Sequence, residues 1–357
     1  MKILVYDVAA SSRGALSVLT DFYQQVTEYG NEAEWHFVVS VPQLQETENV
    51  YVHRYPWIKN SPINRVIFDT FVIQKLIKTL KIDKVISLQN VCVFGCRVPQ
   101  MISLHNALPF HKCNKKVLCG AIKIIKQKYL NYRVLNSLKK AERIFVPNDW
   151  IYSSCVSVKG VVAEKVRMVK PIMELSVTTA QNTGLDGEKI RFFYPANTEP
   201  YKRHDLLYKA CKKIEPNKYE LILTALGDEN SYIIDLKNKI EKDKLPIHFK
   251  GNMNRNEVFN YYSNSVLVFP SEIETDALPI IEAMLCNAFI IATKSEFAEC
   301  ILKNYPNSII VPLGDDEAFG NAMQSVIDHK HSIVKCDARE ITATGEKGAL
   351  VKAVIEG

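Results

Sequence analysis

The sequence predicts an α/β protein with two domains, each built on a parallel β-sheet flanked by helices. Short apolar runs alternate with amphipathic segments along most of the chain, and strands separated by helices are typical of doubly wound parallel sheets. One polar stretch interrupts this alternation near the middle. A length of 357 residues suits two domains of ordinary size, and a content of 47% hydrophobic and 24% charged residues excludes a wholly disordered chain.

The first half of the chain begins with a strand. Residues 3–8 are a short apolar run without the long apolar segment and small-residue cleavage site of a signal peptide. Further strands are predicted at residues 34–41, 50–55, 84–88, 100–104 and 143–147, and helices at 15–29, 62–80 and 123–141. We therefore predict a first domain over residues 1–171.

The stretch 172–189 is rich in Ser, Thr, Gln, Asn and Gly, which is typical of a linker. A second alternating series follows it. Strands are predicted at residues 191–194, 220–224, 247–250, 266–269 and 289–292, with helices after Lys202, at 232–242 and 257–263, from Pro279, and at 296–302. This series defines a second domain over residues 190–330 and leaves a tail, 331–357, that matches no motif.

Charge and cysteine content narrow the class of protein. A formal net charge of +6 fits phosphate ligands, an anionic membrane surface or nucleic acid. Nine cysteines, an odd count, indicate reduced thiols in a cytosolic protein, and no run of about 20 apolar residues predicts a membrane span.

A zinc site is the alternative reading of one group of cysteines and histidines. Its members are Cys92, Cys96, His105, His111, Cys113 and Cys119. Their spacing lacks the paired C-x2-C pattern of structural zinc sites, so we expect no metal.

The most informative segment follows the apolar run 266–269 and reads PSEIETDALPIIEAM over residues 270–284. Pro279 is expected near the first helical position, so Glu274 lies before the helix and Glu282 within it. Backbone N–H groups at a helix N-terminus attract anions. Two carboxylates beside such an anion site suit a ligand that also carries hydroxyls, as a sugar nucleotide does.

This layout resembles the E-x7-E signature of the family 4 retaining glycosyltransferases, which have the GT-B fold. The matching residues are Pro270, Ser271, Glu274, Leu278, Pro279, Glu282, Ala283 and Met284. Thr275, Asp276 and Ala277 replace the Gly-Phe-Gly of the usual loop. The resemblance implies two Rossmann-like domains facing a cleft, closure about the linker, and a C-terminal helix that returns to the first domain.

A second segment resembles the phosphate clamp of the same family. Lys202 falls on the clamp lysine, and Leu206 and Leu207 fall on its two leucines. The clamp arginine falls at Asn197, so Arg203, at a position where glycine is usual, is expected to supply the missing charge. The resemblance places these residues around the donor: Asn197, Arg203, Gly251, Thr275, Asp276, Ala277, Leu278 and Glu282.

The resemblance assigns three residues of the first domain. His105 follows the strand 100–104, where the family often has a histidine that points at the donor sugar. Arg13 and Gly14 occupy the position of the glycine-rich acceptor loop, of which only Gly14 remains.

Residues 112–143 form a strongly basic segment. Its cations are Lys112, Lys115, Lys116, Lys123, Lys126, Lys128, Arg133, Lys139, Lys140 and Arg143, against Glu142 alone. A basic amphipathic helix is typical of a surface for anionic lipid headgroups, although an ordinary solvated helix face has the same pattern. No nucleic-acid-binding motif accompanies this charge.

The resemblance implies catalytic roles for Lys202, Glu274 and His105. Lys202 and the helix N-terminus hold the diphosphate, Glu274 and His105 contact the sugar, and Glu282 contacts the ribose. Side-chain cations replace a metal, and no cofactor is expected beyond the nucleotide-sugar substrate.

The sequence thus predicts a retaining glycosyltransferase that moves a sugar to a glycan or lipid-linked acceptor during synthesis of capsule or lipopolysaccharide. We expect it in the cytoplasm, on the inner face of the membrane. Two alternatives stay open: a non-catalytic nucleotide-sugar-binding module, which Asn197 and the missing loop glycines favour, and a nucleotide-sugar epimerase, which the E-x7-E layout disfavours.

Overall fold

The computed structural model describes residues 1–11, 13–111, 121–170, 188–329, 333–336 and 345–357, with the backbone alone for Arg13 and residues 121–124. These residues divide into two compact units. The first contains residues up to 111 together with 125–170 and 345–357, and the second contains 188–329 and 333–336 together with residues 121–124 at the start of a helix whose remainder is in the first. Most of the predicted linker 172–189 lies outside the described residues, as do residues 112–120 of the basic segment.

The first unit is built on a seven-stranded parallel sheet in the order β3-β2-β1-β4-β5-β6-β7. Its strands are β1 (Lys2–Asp7), β2 (Glu34–Val39), β3 (Val50–Arg54), β4 (Lys84–Ser87), β5 (Gln100–Ser103), β6 (Arg143–Val146) and β7 (Val166–Met168). Its helices are α1 (Arg13–Tyr29), α2 (Pro62–Ile67), α3 (Ile73–Leu80), α4 (Ala121–Lys140) and α5 (Asp149–Val156), with a π-helical turn, Phe68–Val72, joining α2 to α3.

The second unit is built on a six-stranded parallel sheet in the order β10-β9-β8-β11-β12-β13. Its strands are β8 (Ile190–Tyr194), β9 (Tyr219–Leu223), β10 (Ile247–Phe249), β11 (Val266–Phe269), β12 (Ile290–Thr293) and β13 (Ser308–Val311). Its helices are α6 (His204–Cys211), α7 (Ser231–Lys242), α8 (Arg255–Ser263), α9 (Leu278–Leu285), α10 (Glu296–Leu302) and α11 (Asp316–His329). The prediction of an α/β fold with two parallel sheets is confirmed.

Burial and helix caps explain why these segments take these conformations. All four residues of β11 are buried, as expected for a central parallel strand covered on both faces. Helices α5, α7 and α10 begin after Asn148, Asn230 and Ser295, whose side chains accept from a backbone N–H of the first turn. Asn254 and Glu257 form a reciprocal capping box at the start of α8.

Both sheets reverse their strand order once. In the first unit the reversal lies between β1 and β4, and in the second unit it lies between β8 and β11. Ligands in open α/β sheets bind outside the carboxyl ends of the strands at such a switch point. The loops that follow β8 and β11 are therefore the expected location of a ligand site in the second unit.

The sequence patterns missed four elements: α5, β7, β13 and α11. Strand β7 has only three residues, too few to show a period. Strand β13 has the sequence SIIV, whose three consecutive apolar residues do not alternate with polar ones. Helix α11 does carry a start signal, since Asp315 accepts from the N–H groups of Glu317 and Ala318 at 3.0 and 2.9 Å.

The C-terminal residues 345–357 belong to the first unit and end in helix α12 (Ala349–Glu356). Val351, Ala353 and Val354 are buried in the same apolar cluster as residues of α1 such as Leu19 and Phe22. The end of the chain is thus part of the core of the first unit.

We predict that Gly348→Ala destabilises the protein by about 2–4 kcal/mol, because two costs add. Gly348 has φ +71°, and a Cβ there would lie 2.6 Å from Cγ of Tyr29. The matched control is Gly14→Ala, since no atom lies within 4 Å of a Cβ at Gly14 in α1. Urea unfolding should show a large loss for the first variant alone, and equal stability of the two variants would contradict the docking of α12.

Candidate active site

Two loops meet at the switch point of the second unit. One follows β8 and leads to α6, and the other follows β11 and leads to α9. Adjacent parallel pairing of β8 and β11 sets Val266 opposite Phe192, so both loops leave the same edge of the sheet. The backbone N–H of Glu272 donates to the carbonyl of Tyr201 at 3.0 Å, which joins the two loops directly.

Lys202 and Glu274, the two predicted catalytic residues of this unit, form an ion pair across these loops. The Lys202 Nζ donates to Glu274 Oε1 at 2.5 Å, and each side chain is only 13% exposed. The hydroxyl of the buried Tyr194 donates to the carbonyl of Lys202 at 2.9 Å and fixes the backbone beneath the pair. The structure therefore holds a cation and a carboxylate together at the edge where a ligand is expected.

Arg203 lies beside this pair but points into its own carboxylate cluster. Its Nε donates to Asp205 Oδ1 at 3.0 Å, and its Nη1 donates to Glu272. The guanidinium therefore ties the start of α6 to the β11 loop. Asn197, at the position of the clamp arginine, accepts from the N–H of Glu199 at 3.2 Å and adds no charge.

Two of the three positions at which the family loops have glycine keep a left-handed backbone in this chain. Arg203 has φ 55° and Ala277 has φ 45°, in a region that costs a side-chain-bearing residue roughly 1–2 kcal/mol. Ala277 immediately precedes α9 and is buried, and Leu278 begins the helix and is exposed. Pro279 stands in the first turn of α9, and no described side chain caps this helix start.

Glu282 lies on α9, near Tyr262 and Arg255 of α8. The hydroxyl of Tyr262 donates to Glu282 Oε2 at 3.2 Å, and Nη2 of Arg255 lies 3.9 Å from Oε1. Burial raises the pKa of Glu282, and the charge of Arg255 opposes this shift. The carboxylate is thus held by one hydrogen bond on one oxygen, with its second oxygen at longer range from a cation.

Gly251 follows β10 at the same edge of the sheet. It has φ +75°, and a Cβ there would lie 2.7 Å from Leu226 Cδ2. Its N–H donates to the carbonyl of Ala225 at 3.0 Å, so this loop is tied to the loop after β9. Thr275 and Asp276 are partly buried in the loop before α9.

His105 lies in the first unit, directly after β5. Its Nε2 is 2.8 Å from the Ser103 hydroxyl, and its backbone N–H donates to Asn90 Oδ1 at 2.6 Å. Burial lowers the pKa of His105 to about 4, so the ring is neutral at neutral pH. Gly14 lies in the first turn of α1 beside open space, and the side chain of Arg13 is outside the described residues.

The first unit contains a polar cluster that the sequence patterns did not predict. Arg65 Nε donates to both oxygens of Asp69 at 2.9 Å, and Tyr6 donates to Asp69 as well. Gln89 Oε1 accepts from Arg65 Nη2 at 3.0 Å. Nearby, burial raises the pKa of Asp7 to about 6, against the charge of Arg65.

This cluster lies at the carboxyl ends of β1 and β4, the switch point of the first unit. The only sequence signal for it is an aspartate that ends an apolar strand. Its other members come from β1, the loop after β4, α2 and the π-helical turn, which only the tertiary structure brings together.

The described part of the chain lacks both a membrane-spanning helix and a metal-binding cluster. None of the described helices is both long and apolar enough to cross a bilayer. No cluster of three or more His, Cys, Asp or Glu residues suited to a metal ion occurs there. Cys113 and Cys119, from the zinc alternative, lie outside the described residues.

Comparison with known proteins agrees with this geometry. Residues 178–345 match the family model described as Glycosyl transferases group 1. No curated protein matches the chain in sequence. The prediction of a glycosyltransferase is confirmed at the level of this domain, which contains both loops of the candidate site.

Three of the solved structures that share this fold, all at low sequence identity, illustrate the likeness. WaaG, a glycosyltransferase involved in lipopolysaccharide biosynthesis, has a TM-score of 0.72 at 11% identity over 99% of this chain and 98% of that one. Sucrose-phosphate synthase from Thermosynechococcus elongatus has a TM-score of 0.71 at 14% identity over 99% and 97%. HepE from Anabaena, in complex with UDP and glucose, has a TM-score of 0.68 at 16% identity over 100% and 98%. The GT-B fold is confirmed.

We predict that Ala277→Gly stabilises the protein by up to about 1 kcal/mol, because glycine relieves the left-handed strain but loses more backbone entropy on folding. Ala283→Gly is the matched control within α9, where glycine should cost about 1 kcal/mol or more. Guanidinium unfolding at pH 7 measures both variants. A loss of stability in Ala277→Gly would contradict the loop conformation.

We predict that His204→Leu stabilises the protein by about 1–3 kcal/mol at pH 7. His204 is 1% exposed, and neither ring nitrogen has a hydrogen-bond partner among the described residues. Burial lowers the pKa of His204 to about 4, below the roughly 6.5 of an unfolded chain, so wild-type stability falls as the pH drops through that window.

The gain from His204→Leu should therefore be larger at pH 5 than at pH 7. His105→Leu is the control at pH 7 only, because it removes a ring that is hydrogen-bonded to Ser103 and should not stabilise the protein at that pH. Burial lowers the pKa of His105 to about 4 as well, so the comparison between the two pH values rests on His204→Leu against wild type. Urea unfolding at both pH values would contradict the account if His204→Leu matched wild type throughout.

Proposed function

We propose that this protein is a family 4 retaining glycosyltransferase that transfers a sugar from a nucleoside-diphosphate sugar to a glycan or lipid-linked acceptor. The observation that carries the proposal is the Lys202–Glu274 pair at the switch point of a sheet whose domain matches group 1 glycosyltransferases. An acceptor in capsule or lipopolysaccharide synthesis is the corresponding proposal for the pathway.

Lys202 is the proposed cation for the diphosphate. Its Nζ lies at the edge where the two loops meet, and the N-terminus of α9 starts from the same β11 loop. A departing diphosphate gains charge in the transition state, and preorganised positive groups stabilise that charge. The proposal needs no metal, because Lys202 and the helix N-terminus supply positive potential.

Arg203 takes a different part in the proposal from the one its sequence position implies. Its guanidinium is engaged by Asp205 and Glu272, so its role is to hold the loop that presents Lys202. Asn197, in the same loop, has a polar amide side chain that carries no charge. One lysine therefore does most of the electrostatic work on the donor phosphates.

Glu274 is the proposed acceptor of hydrogen bonds from the donor sugar. Its Oε1 is engaged by Lys202, so the same carboxylate links the sugar to the cation that holds the diphosphate. Glu282 is the proposed partner of the ribose hydroxyls, because Tyr262 orients its Oε2 and leaves Oε1 at 3.9 Å from Arg255. Gly251, Thr275, Asp276, Ala277 and Leu278 border the donor in this proposal.

His105 keeps its proposed role against the donor sugar as a neutral imidazole. Burial lowers its pKa to about 4, which suits hydrogen bonding and disfavours a general-acid role at neutral pH. No partner carboxylate for a double displacement was evident from the sequence. Attack on the same face as the departing phosphate, which takes the acceptor proton, is therefore the proposed course. Arg13 and Gly14 remain the proposed acceptor loop.

The inner face of the membrane is the proposed place of action. Within the described part of the basic segment, α4 carries exposed Ile125, Tyr129 and Tyr132 at 68%, 60% and 65% among its lysines. Exposed aromatic and basic side chains on one helix suit a bilayer surface.

The test is a thermal-shift panel of UDP, GDP, ADP and CMP with their common sugars, on wild type and Glu282→Ala. A ligand that binds only the folded state raises stability by RT ln(1 + [L]/Kd). HepE is solved with UDP, so UDP is the first ligand to try. We expect one nucleotide class to stabilise the wild type and to do so less in the variant.

A well-folded wild type that no nucleotide stabilises would overturn the proposal. The rival function is a non-catalytic nucleotide-sugar-binding module, which the uncharged Asn197 favours. Donor hydrolysis separates the two: the enzyme turns over the donor and Glu274→Ala does so at least about 100-fold more slowly, whereas the module turns over nothing. An epimerase would instead change the sugar without releasing it.

A further inference from the structure

A cavity of about 430 Å³ lies in the first unit, between the loop 92–99 and the second half of α4. Gln100, the first residue of β5, and Glu142, which precedes β6, also line it. The cavity is therefore at the amino ends of the strands, the edge opposite the one that carries His105 and Gly14. No role assigned so far uses it.

The lining of this cavity is predominantly cationic. Arg97, Arg133 and Lys140 line it, against the single carboxylate of Glu142. Arg97 and Lys140 are exposed and form no ion pair with any described residue, so their charges are available to a ligand.

The cations of the cavity also act on the buried thiol of Cys92. Burial raises the pKa of Cys92 to about 12, and the charges of Lys140 and Arg133 act against this shift. Arg133 Nη1 also donates to the Tyr129 hydroxyl at 3.2 Å, which fixes the guanidinium on the helix.

The loop that forms one wall is fastened by specific hydrogen bonds. The N–H of Cys92 donates to the Ser137 hydroxyl at 3.0 Å, which ties the loop to α4. The Gln100 side chain accepts from the N–H of Val93 at 2.7 Å and donates to its carbonyl at 3.2 Å. A wall held in this way needs little reordering when a ligand enters.

The donors of the cavity suit a phosphate group. Guanidinium and ammonium groups form charge-assisted hydrogen bonds with phosphate oxygens, and Asn136 presents an amide that has no partner among the described residues. The volume of about 430 Å³ falls within the range of small-molecule sites and exceeds that of a bare anion.

An apolar side chain stands on the rim of this cationic cavity. Phe94 lines the cavity and is 62% exposed, and Tyr129 and Tyr132 on α4 are exposed as well. A phosphate next to apolar surface is the chemistry of an amphiphile, because aromatic side chains favour the bilayer interface while cations hold headgroups.

We propose that this cavity binds the phosphate headgroup of an anionic membrane lipid, with Arg97 and Lys140 on the phosphate and Phe94 in the interface. The proposal deepens the membrane part of the proposed function, because it replaces a diffuse basic surface by one defined site. It does not depend on the donor site, which lies in the other unit.

The test compares two double variants of the full-length chain that remove the same charge. The cavity double, Arg97→Ala with Lys140→Ala, removes two cationic side chains from the lining of the cavity. The control double, Lys128→Ala with Lys139→Ala, removes two exposed lysines of α4 that do not line it. Binding is measured by co-sedimentation with vesicles of equal parts phosphatidylglycerol and phosphatidylcholine, and with phosphatidylcholine alone. We expect the cavity double to bind anionic vesicles at least about tenfold more weakly than the control double.

Asn136→Asp is a further variant that places a carboxylate in the cavity and leaves every basic residue in place. It should weaken binding to anionic vesicles in the same direction. Equal losses in the two doubles would overturn the proposal, because they would show a diffuse surface. Stabilisation of wild type by soluble glycerol 3-phosphate without preference for anionic vesicles would overturn the lipid assignment.

Nucleotide stabilisation is measured on the same preparations. We expect it to be the same in wild type and both doubles, since neither removes a residue of the donor loops. Absence of nucleotide binding in all three would count against the proposed glycosyltransferase and leave the vesicle comparison intact. The two failures are therefore distinguishable.

Discussion

The pairing of Lys202 with Glu274 is the interaction on which the account of this protein depends. The two residues are 72 positions apart in sequence, and they meet because β8 and β11 are neighbours at the strand-order reversal of the second sheet. The two opposite charges are largely shielded from water. Removal of either one would leave the other buried without a partner, which is strongly destabilising. The pair therefore sets the relative position of the two loops that a donor would contact.

The backbone around this pair keeps its form although the expected side chains have changed. Arg203 and Ala277 stand where the family loops have glycine, and both retain a left-handed backbone. The cost at Arg203 is offset by its bonds to Asp205 and Glu272, and Ala277 is held by burial at the start of α9. Such strain persists only where the surrounding contacts determine the conformation, as they do between two hydrogen-bonded loops.

The features that could be predicted from the sequence are those that short-range residue patterns determine. Buried strands such as β11 and the helix start at Pro279 follow from apolar runs and punctuation, and the resemblance rests on residues in the loops between them. The ion-pair partner of Arg203 could not be predicted from these patterns, because Glu272 lies in a loop distant in sequence. The cluster around Asp7 and Arg65 and the cationic cavity were missed for the same reason, because each is formed by contacts between segments distant in sequence. Strand β7 was missed because three residues are too few to show a period.

Calorimetric titration tests the central pair most directly, with the nucleoside diphosphate that stabilises the wild type most. If Lys202 holds the diphosphate and Glu274 serves the sugar, Lys202→Met should weaken binding by about 10–100-fold. Glu274→Gln should retain or improve affinity, because it frees the ammonium from a competing carboxylate, and the double variant should resemble Lys202→Met. Equal weakening by both single variants, or no change in either, would contradict the assignment.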